Sequence, residues 1–132
     1  MEITGKDFEN DDYSMPIKIK DQSQEISLSL SDDLEIIDNL DKFPKKYSKQ
    51  ILEFIDNSAK WYPKAISKIK DEFDEHTECK LTEIFVLYEP NEKQIYGLSF
   101  WVSSDIEHGR GIKITSNYEI IEYGEAEIAF IL

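Results

Sequence analysis

The hydrophobic period changes twice along this chain, and that restricts its fold more than any other feature. Up to Ser31 apolar residues alternate with polar ones, from Pro44 to about Glu75 they recur every three or four, and from Leu81 onward alternation returns. Period two marks a strand with one wet face, and a period near 3.6 marks a helix with one apolar stripe. Strands, then a helical segment, then strands can bury all their apolar surfaces if the helix lies across one face of a single sheet. The sequence therefore predicts an α+β fold: an antiparallel sheet of about five to seven strands with one long helical segment, with a proline inside it, packed on one face. One domain spanning 1–132 suffices, because a chain of this length buries roughly two-thirds of its unfolded surface.

Taken in order, Ile17 and Ile19 alternate with Lys18 and Lys20, and Ile26, Leu28 and Leu30 alternate with Ser27, Ser29 and Ser31. With the turn-like Asp21, Gln22, Ser23 and Gln24 between them, these stretches predict a hairpin with a four-residue loop. Residues 8–13 read as an acidic loop, with room for a short strand at 2–4 before it. Leu34, Ile36, Ile37 and Leu40 belong to a short element of undetermined type. The helical stripe runs through Tyr47, Ile51, Phe54, Ile55, Tyr62, Ile66, Ile69 and Phe73, with Pro44 suited to the first helical position. Pro63 removes a backbone donor and disfavours helical geometry at Tyr62, so the segment is one kinked helix or two helices broken near Trp61 and Tyr62.

Cys79 then enters a strand over 81–89, whose run Ile84, Phe85, Val86, Leu87, Tyr88 reads as a central strand covered on both faces. Residues 90–93 turn the chain. In 95–103, Tyr96, Leu98, Phe100 and Val102 fall on one face and Gly97, Ser99, Trp101 and Ser103 on the other. Strands around Ile112 and Ile114, over 118–123, and through Ala126, Ile128, Phe130 and Leu132 complete the sheet.

Charge narrows the function classes. The chain carries a net charge of −13. Residues 1–40 hold 11 acids against 3 bases, residues 41–76 hold 7 against 8, and residues 77–132 hold 10 against 4. The acidity thus belongs to strands and loops, while the helix is balanced. Such a surface repels phosphate backbones, so direct nucleic-acid binding is not expected, whereas a basic protein partner would be steered toward it. Solubility alone is the plainer explanation of the same charge. The single cysteine, Cys79, cannot form an internal disulfide, and Met1 leads into Glu2, Lys6 and Asp7 without an apolar stretch. A soluble, cytoplasmic protein with no membrane span and no cofactor is the expectation. The oligomeric state is left open.

Two stretches concentrate polar chemistry. Glu9, Asp11, Asp12 and Tyr13 lie in the N-terminal acidic loop, which lacks the full spacing of a calcium loop. The turn Asp105-Ile106-Glu107-His108-Gly109-Arg110-Gly111 brings two acids, a histidine and an arginine together. Asp105, Glu107 and His108 are residue types that bind a divalent ion or share a proton, the basis for a metal-dependent hydrolase reading. Neighbouring strand positions point to opposite faces, however, and His76 with Cys79 forms no ligand set, so no enzyme and no metal site is expected. The plainer reading of the turn is a hairpin loop whose glycines supply the reversal and whose Asp105 accepts backbone N–H bonds.

This turn, following the strand at Tyr96–Ser103 and followed by Gly124-Glu125-Ala126-Glu127-Ile128-Ala129-Phe130, resembles the D-x-E-H-G-x-G signature of a family of small bacterial domains of unknown function. The likeness is strongest over 81–130, and Ile106 stands where the family commonly has proline. Relatives of that kind are associated with polymorphic-toxin and contact-dependent inhibition loci as immunity proteins. The resemblance implies a fold and a toxin-neutralising role, with a basic toxin domain such as a nuclease as partner, and implies no catalytic residues. On this reading the partner-binding candidates are Trp101, Asp105, Glu107, His108 and Arg110 near the turn, and Glu9, Asp11, Asp12 and Tyr13 in the acidic loop. An assembly or regulatory module presenting Trp101 and nearby aromatics is the alternative.

Overall fold

Six strands form one sheet in the order β1-β2-β3-β4-β5-β6, with two α-helices against one face, in a computed structural model that describes residues 2–89 and 94–131. The strands are β1 (Ser14–Ile17), β2 (Ile26–Leu30), β3 (Cys79–Val86), β4 (Ile95–Val102), β5 (Arg110–Thr115) and β6 (Ile120–Gly124). The helices are α1 (Lys45–Asp56) and α2 (Ser58–Glu72). This is the α+β fold that the change of period predicts. The turn expected at 90–93 lies outside the described residues, as do Met1 and Leu132.

Strand order equals chain order because each connection but one is a reversal. β1 and β2 form the N-terminal hairpin, with Ser14 opposite Ser29 and Ile17 opposite Ile26. Its connection covers 18–25 rather than the four residues expected, because Ile19 leaves the strand and is buried while Gln22 bonds the Leu81 backbone on β3. β2 and β3 are parallel, which makes an otherwise antiparallel sheet mixed. The reason is the connection: α1 and α2 cross the sheet face between them, and such a crossover returns the chain in the direction it left.

The helical segment consists of two helices, and the break lies at Asn57 instead of near Trp61 and Tyr62. Asn57 donates both its backbone N–H (3.0 Å) and its side-chain amide (2.8 Å) to the Glu53 carbonyl, so its side chain competes for an acceptor that would otherwise serve the helix alone. Pro63 is tolerated inside α2 on the exposed side, and Pro44 precedes α1 as its cap residue. The break tilts two apolar stripes onto one core. Trp61 is fully buried, stacks on Phe54 at 4.7 Å and donates its indole N–H to the Phe54 carbonyl at 2.7 Å. Phe54 in turn stacks on Tyr96 of β4 at 4.0 Å. This helix–helix–sheet column joins Leu28, Leu81, Ile84, Leu98, Phe100 and Ile112 from the sheet's inner face.

At the N-terminus no strand forms at 2–4. A short 3-10 helix, Gly5–Phe8, buries Phe8 against Phe43 at 5.6 Å, so Phe8 belongs to the core and not to the acidic loop. The element of undetermined type is a 3-10 helix over Glu35–Lys42, interrupted at Asn39.

The last expected strand is the clearest difference. Ala126–Ala129 forms a short 3-10 helix lying flat on the outer face of β4 and β5. Two glycines make the seat. A Cβ on Gly97 would stand 1.7 Å from the Ala129 carbonyl oxygen, and one on Gly111 would stand 2.6 Å from that of Glu125. The alternation of Ala126, Ile128 and Phe130 is therefore not a strand pattern; Ala129 is the fully buried residue. Because the C-terminal segment covers β4 and β5, the outer face over β2 and part of β3 is left to a trough in which Ser29 is buried and Glu83 and Phe85 are half-buried. The expected double covering of β3 is thus partial: Leu81, Ile84 and Val86 are buried, while Glu83 and Phe85 on the other side are half-buried.

Candidate functional site

The Asp105–Gly111 turn joins β4 to β5 and is held from within. Gly109 takes φ +62°, a conformation that favours glycine, and its N–H donates to the Asp105 carbonyl at 2.9 Å. The Asp105 carboxylate accepts the His108 backbone N–H at 3.3 Å and lies 3.1 Å from the His108 ring nitrogen. Arg110 is buried and turned toward the helices. Its Nε and Nη2 donate to both carboxylate oxygens of Glu72 at 2.7 and 3.0 Å, and its Nη1 donates to Asp105 at 2.7 Å. Tyr123 of β6 donates its hydroxyl to the same Glu72, and the guanidinium lies 4.7 Å from the Phe73 ring centre.

Electrostatics follow this geometry. The Arg110 guanidinium holds the Glu72 and Asp105 carboxyls below the usual carboxylate range, and the Asp105 hydrogen bond raises the His108 imidazole above its ordinary value. Arg110 thus pins the turn to the end of α2 and to β6. Glu107 and Ile106 remain exposed at the tip. Among the described residues no group of three or more His, Cys, Asp or Glu side chains is placed to hold a metal ion.

The acidic loop stands on the open half of the outer sheet face. Asn10 braces it: its carbonyl oxygen accepts the N–H groups of Asp12 (3.2 Å) and Ser14 (3.1 Å), and its amide donates to the Ser14 carbonyl at 2.7 Å. Tyr13 is thereby held at φ +49°, a rare conformation for a bulky residue. Asp11, Asp12 and Tyr13 form one wall of a trough of about 610 Å³. It is lined below by Ser27 and Ser29 of β2 and by Ser31 just beyond the strand, short side chains of which Ser29 and Ser31 are buried, together with Thr82 and Glu83 of β3. Phe85, against which Phe130 packs at 5.4 Å, and Asp32 complete the lining.

Glu83 accepts the Ser29 hydroxyl at 3.2 Å. Burial pushes its carboxyl up, the Ser29 bond opposes this, and Asp12 adds to the rise. Among the described residues, the ion pairs to Lys or Arg engage Glu72, Asp105 and Glu122, and no cation there pairs with Asp11, Asp12, Asp32 or Glu83.

The remaining candidates divide between surfaces. Trp101 lies on the same outer face, with the Lys80 ammonium 5.1 Å from its ring centre. It is two residues along β4 from Ser99, the cross-strand partner of Glu83, hence about 7 Å further along the sheet. Glu9 faces elsewhere, lining a groove of about 960 Å³ between the N-terminal 3-10 helix and α1, where Lys6, Lys45, Lys46 and Lys49 also stand.

The structure therefore brings Asp11, Asp12 and Tyr13 together with Glu83, Asp32, Phe85 and Phe130, which sequence reasoning missed. The serine alternation of β2 was the available signal, since three small polar residues on one strand face leave a depression. Which segments would wall it is not written in any local pattern. No helix among the described residues is long and apolar enough to cross a membrane. Comparison with family models, with curated proteins and with solved structures found no match to this chain.

Proposed function

We propose that this chain is an immunity-type binding protein that neutralises a basic toxin domain, a nuclease being the best chemical fit, by direct contact. The observation that carries this reading is the open sheet face, where Asp11, Asp12, Asp32 and Glu83 lie together without a cationic partner among the described residues, flanked by Tyr13, Phe85 and Phe130. A nuclease active site attracts phosphate with lysine and arginine, so clustered carboxylates on a rigid support compete for the same groups. Aromatic walls supply the buried contact that retains a partner once charge has steered it in. The resemblance around Asp105–Gly111 points the same way. Arg110, buried and committed to Glu72, contributes as a brace, while Trp101 shares the outer sheet face and Glu107 and His108 are exposed in the β4–β5 turn, outside the trough lining.

The test is protection of a cell that expresses the toxin domain encoded beside this gene, with and without this protein, combined with direct binding of the two purified chains. Protection with an association rate that falls steeply as salt rises supports the reading. Failure to protect and to bind refutes it. Binding that is indifferent to salt refutes the acidic-face mechanism.

A further inference from the structure

We propose that the trough on the open sheet face is a receptor for an arginine side chain, carried on a loop of the partner protein, with Glu83 as the carboxylate at its floor. This rests on the protein-binding reading above and specifies the chemistry of the contact.

Three features select arginine. The carboxylates lie at different heights, Glu83 half-buried between the β2 serines and Phe85 while Asp11, Asp12 and Asp32 are exposed at the rim. A long cationic side chain satisfies both levels, its head at the floor and its stem along the wall. Aromatic residues line the trough: Tyr13, Phe85 and Phe130, the last half exposed and packed on Phe85. A planar guanidinium stacks on such rings and pairs a carboxylate through two parallel hydrogen bonds, whereas an ammonium does neither. Finally, among the described residues the Glu83 carboxylate holds one hydroxyl donor, Ser29, and has Asp12 for a charged neighbour, so an arriving cation adds the partner its ionised form lacks there. The volume exceeds that of one side chain and lies within the range of small-ligand sites, so residues flanking the arginine enter with it.

The probe is a capped pentapeptide, Gly-Gly-Arg-Gly-Gly, with lysine and citrulline counterparts, titrated into the nitrogen-15-labelled full chain at low salt. The expected result is a saturable shift of the Ser29, Glu83, Phe85 and Phe130 amides, with the arginine peptide bound at least about threefold more tightly than the lysine peptide and citrulline not bound. Glu83→Gln should weaken the arginine peptide by about fivefold or more without lowering the melting temperature. Glu119→Gln, the same charge change on an exposed turn, should leave the affinity unchanged. Equal affinities for arginine and lysine with shifts spread over the surface, or equal losses in the two variants, overturn the proposal. If the trough binds arginine as described but the chain gives no protection, the immunity reading falls and the receptor stands. If it protects while Glu83→Gln changes neither protection nor peptide binding, the receptor falls and the function stands.

Discussion

Gly97→Ala tests the seat of the C-terminal segment. The new methyl would stand 1.7 Å from the Ala129 carbonyl oxygen and 2.6 Å from its carbon. Ordinary contact begins at 3.4 Å, so the backbone must retreat by roughly that difference or the segment must lift away. Overpacking against backbone that cannot rotate aside destabilises by about 1–3 kcal/mol. Detachment is bounded by what the segment contributes: burial of the Ala129 methyl, part of Ile128 and half of Phe130 against Phe85, and the 3.1 Å bond from the Ala126 N–H to the His108 carbonyl. At about 0.8 kcal/mol per buried methyl group, about 1 kcal/mol for half an aromatic ring and about 1 kcal/mol per hydrogen bond, that limit is about 3–4 kcal/mol, so the clash sets the cost. Against this, alanine restricts the unfolded chain more than glycine and returns about 0.4–1 kcal/mol.

The net expectation is a loss of about 2 kcal/mol, read as a drop of about 6–10 °C in Tm or as a lower urea midpoint at constant slope. In a chain ending at Glu125 the same substitution should be neutral or stabilising by up to about 1 kcal/mol, so a double-mutant cycle isolates the clash. An unchanged or higher Tm for Gly97→Ala in the full chain would show that the segment does not rest on β4.

Glu83→Gln should raise stability at neutral pH, because the folded pKa of Glu83 is raised: its contribution is full below the unfolded value near about 4.3 and is lost as pH rises through the folded value. Urea midpoints at acid and neutral pH check this, and a lower midpoint at pH 7 would refute it. Glu72 and Asp105 have lowered values, so the support they give through Arg110 is present above the usual carboxylate range and is lost as pH falls below it. An acid melt of Arg110→Met should therefore fall less steeply below about pH 4 than that of the parent. His108, with its value raised by Asp105, contributes below about pH 6.5 and loses that contribution as pH rises through its folded value, a decline that His108→Gln should abolish. With the cognate toxin domain in hand, Asp12→Lys should slow association strongly at low salt and little at high salt, whereas Trp101→Ala should chiefly speed dissociation, both readable by surface-binding kinetics.

The change of hydrophobic period determined the fold class, because a chain with apolar residues every second position, then every third or fourth, then every second again must bury two kinds of surface against each other. It placed Ile26, Leu28 and Leu30 inward, and Tyr96, Leu98, Phe100 and Val102 on one face of β4, as the structure has them. It also showed where the charge would lie. What it could not decide were contacts between residues far apart in the chain. The helix break at Asn57 depends on a side chain competing for one carbonyl, whereas Pro63 carried the stronger local signal and proved tolerable. The C-terminal alternation fits a strand equally well until Gly97 and Gly111 meet on adjacent strands and open a seat for a flat turn of helix. The polar cluster at Asp105–Arg110 looked like a site because its residue types are chemical ones; only tertiary structure supplies Glu72, 38 positions before Arg110, and turns the cluster into a brace. The trough was equally hidden, since its lining comes from residues 11–14, 27, 29–32, 82, 83, 85 and 130, and it is folding that brings these acids and aromatic rings to one face of the sheet.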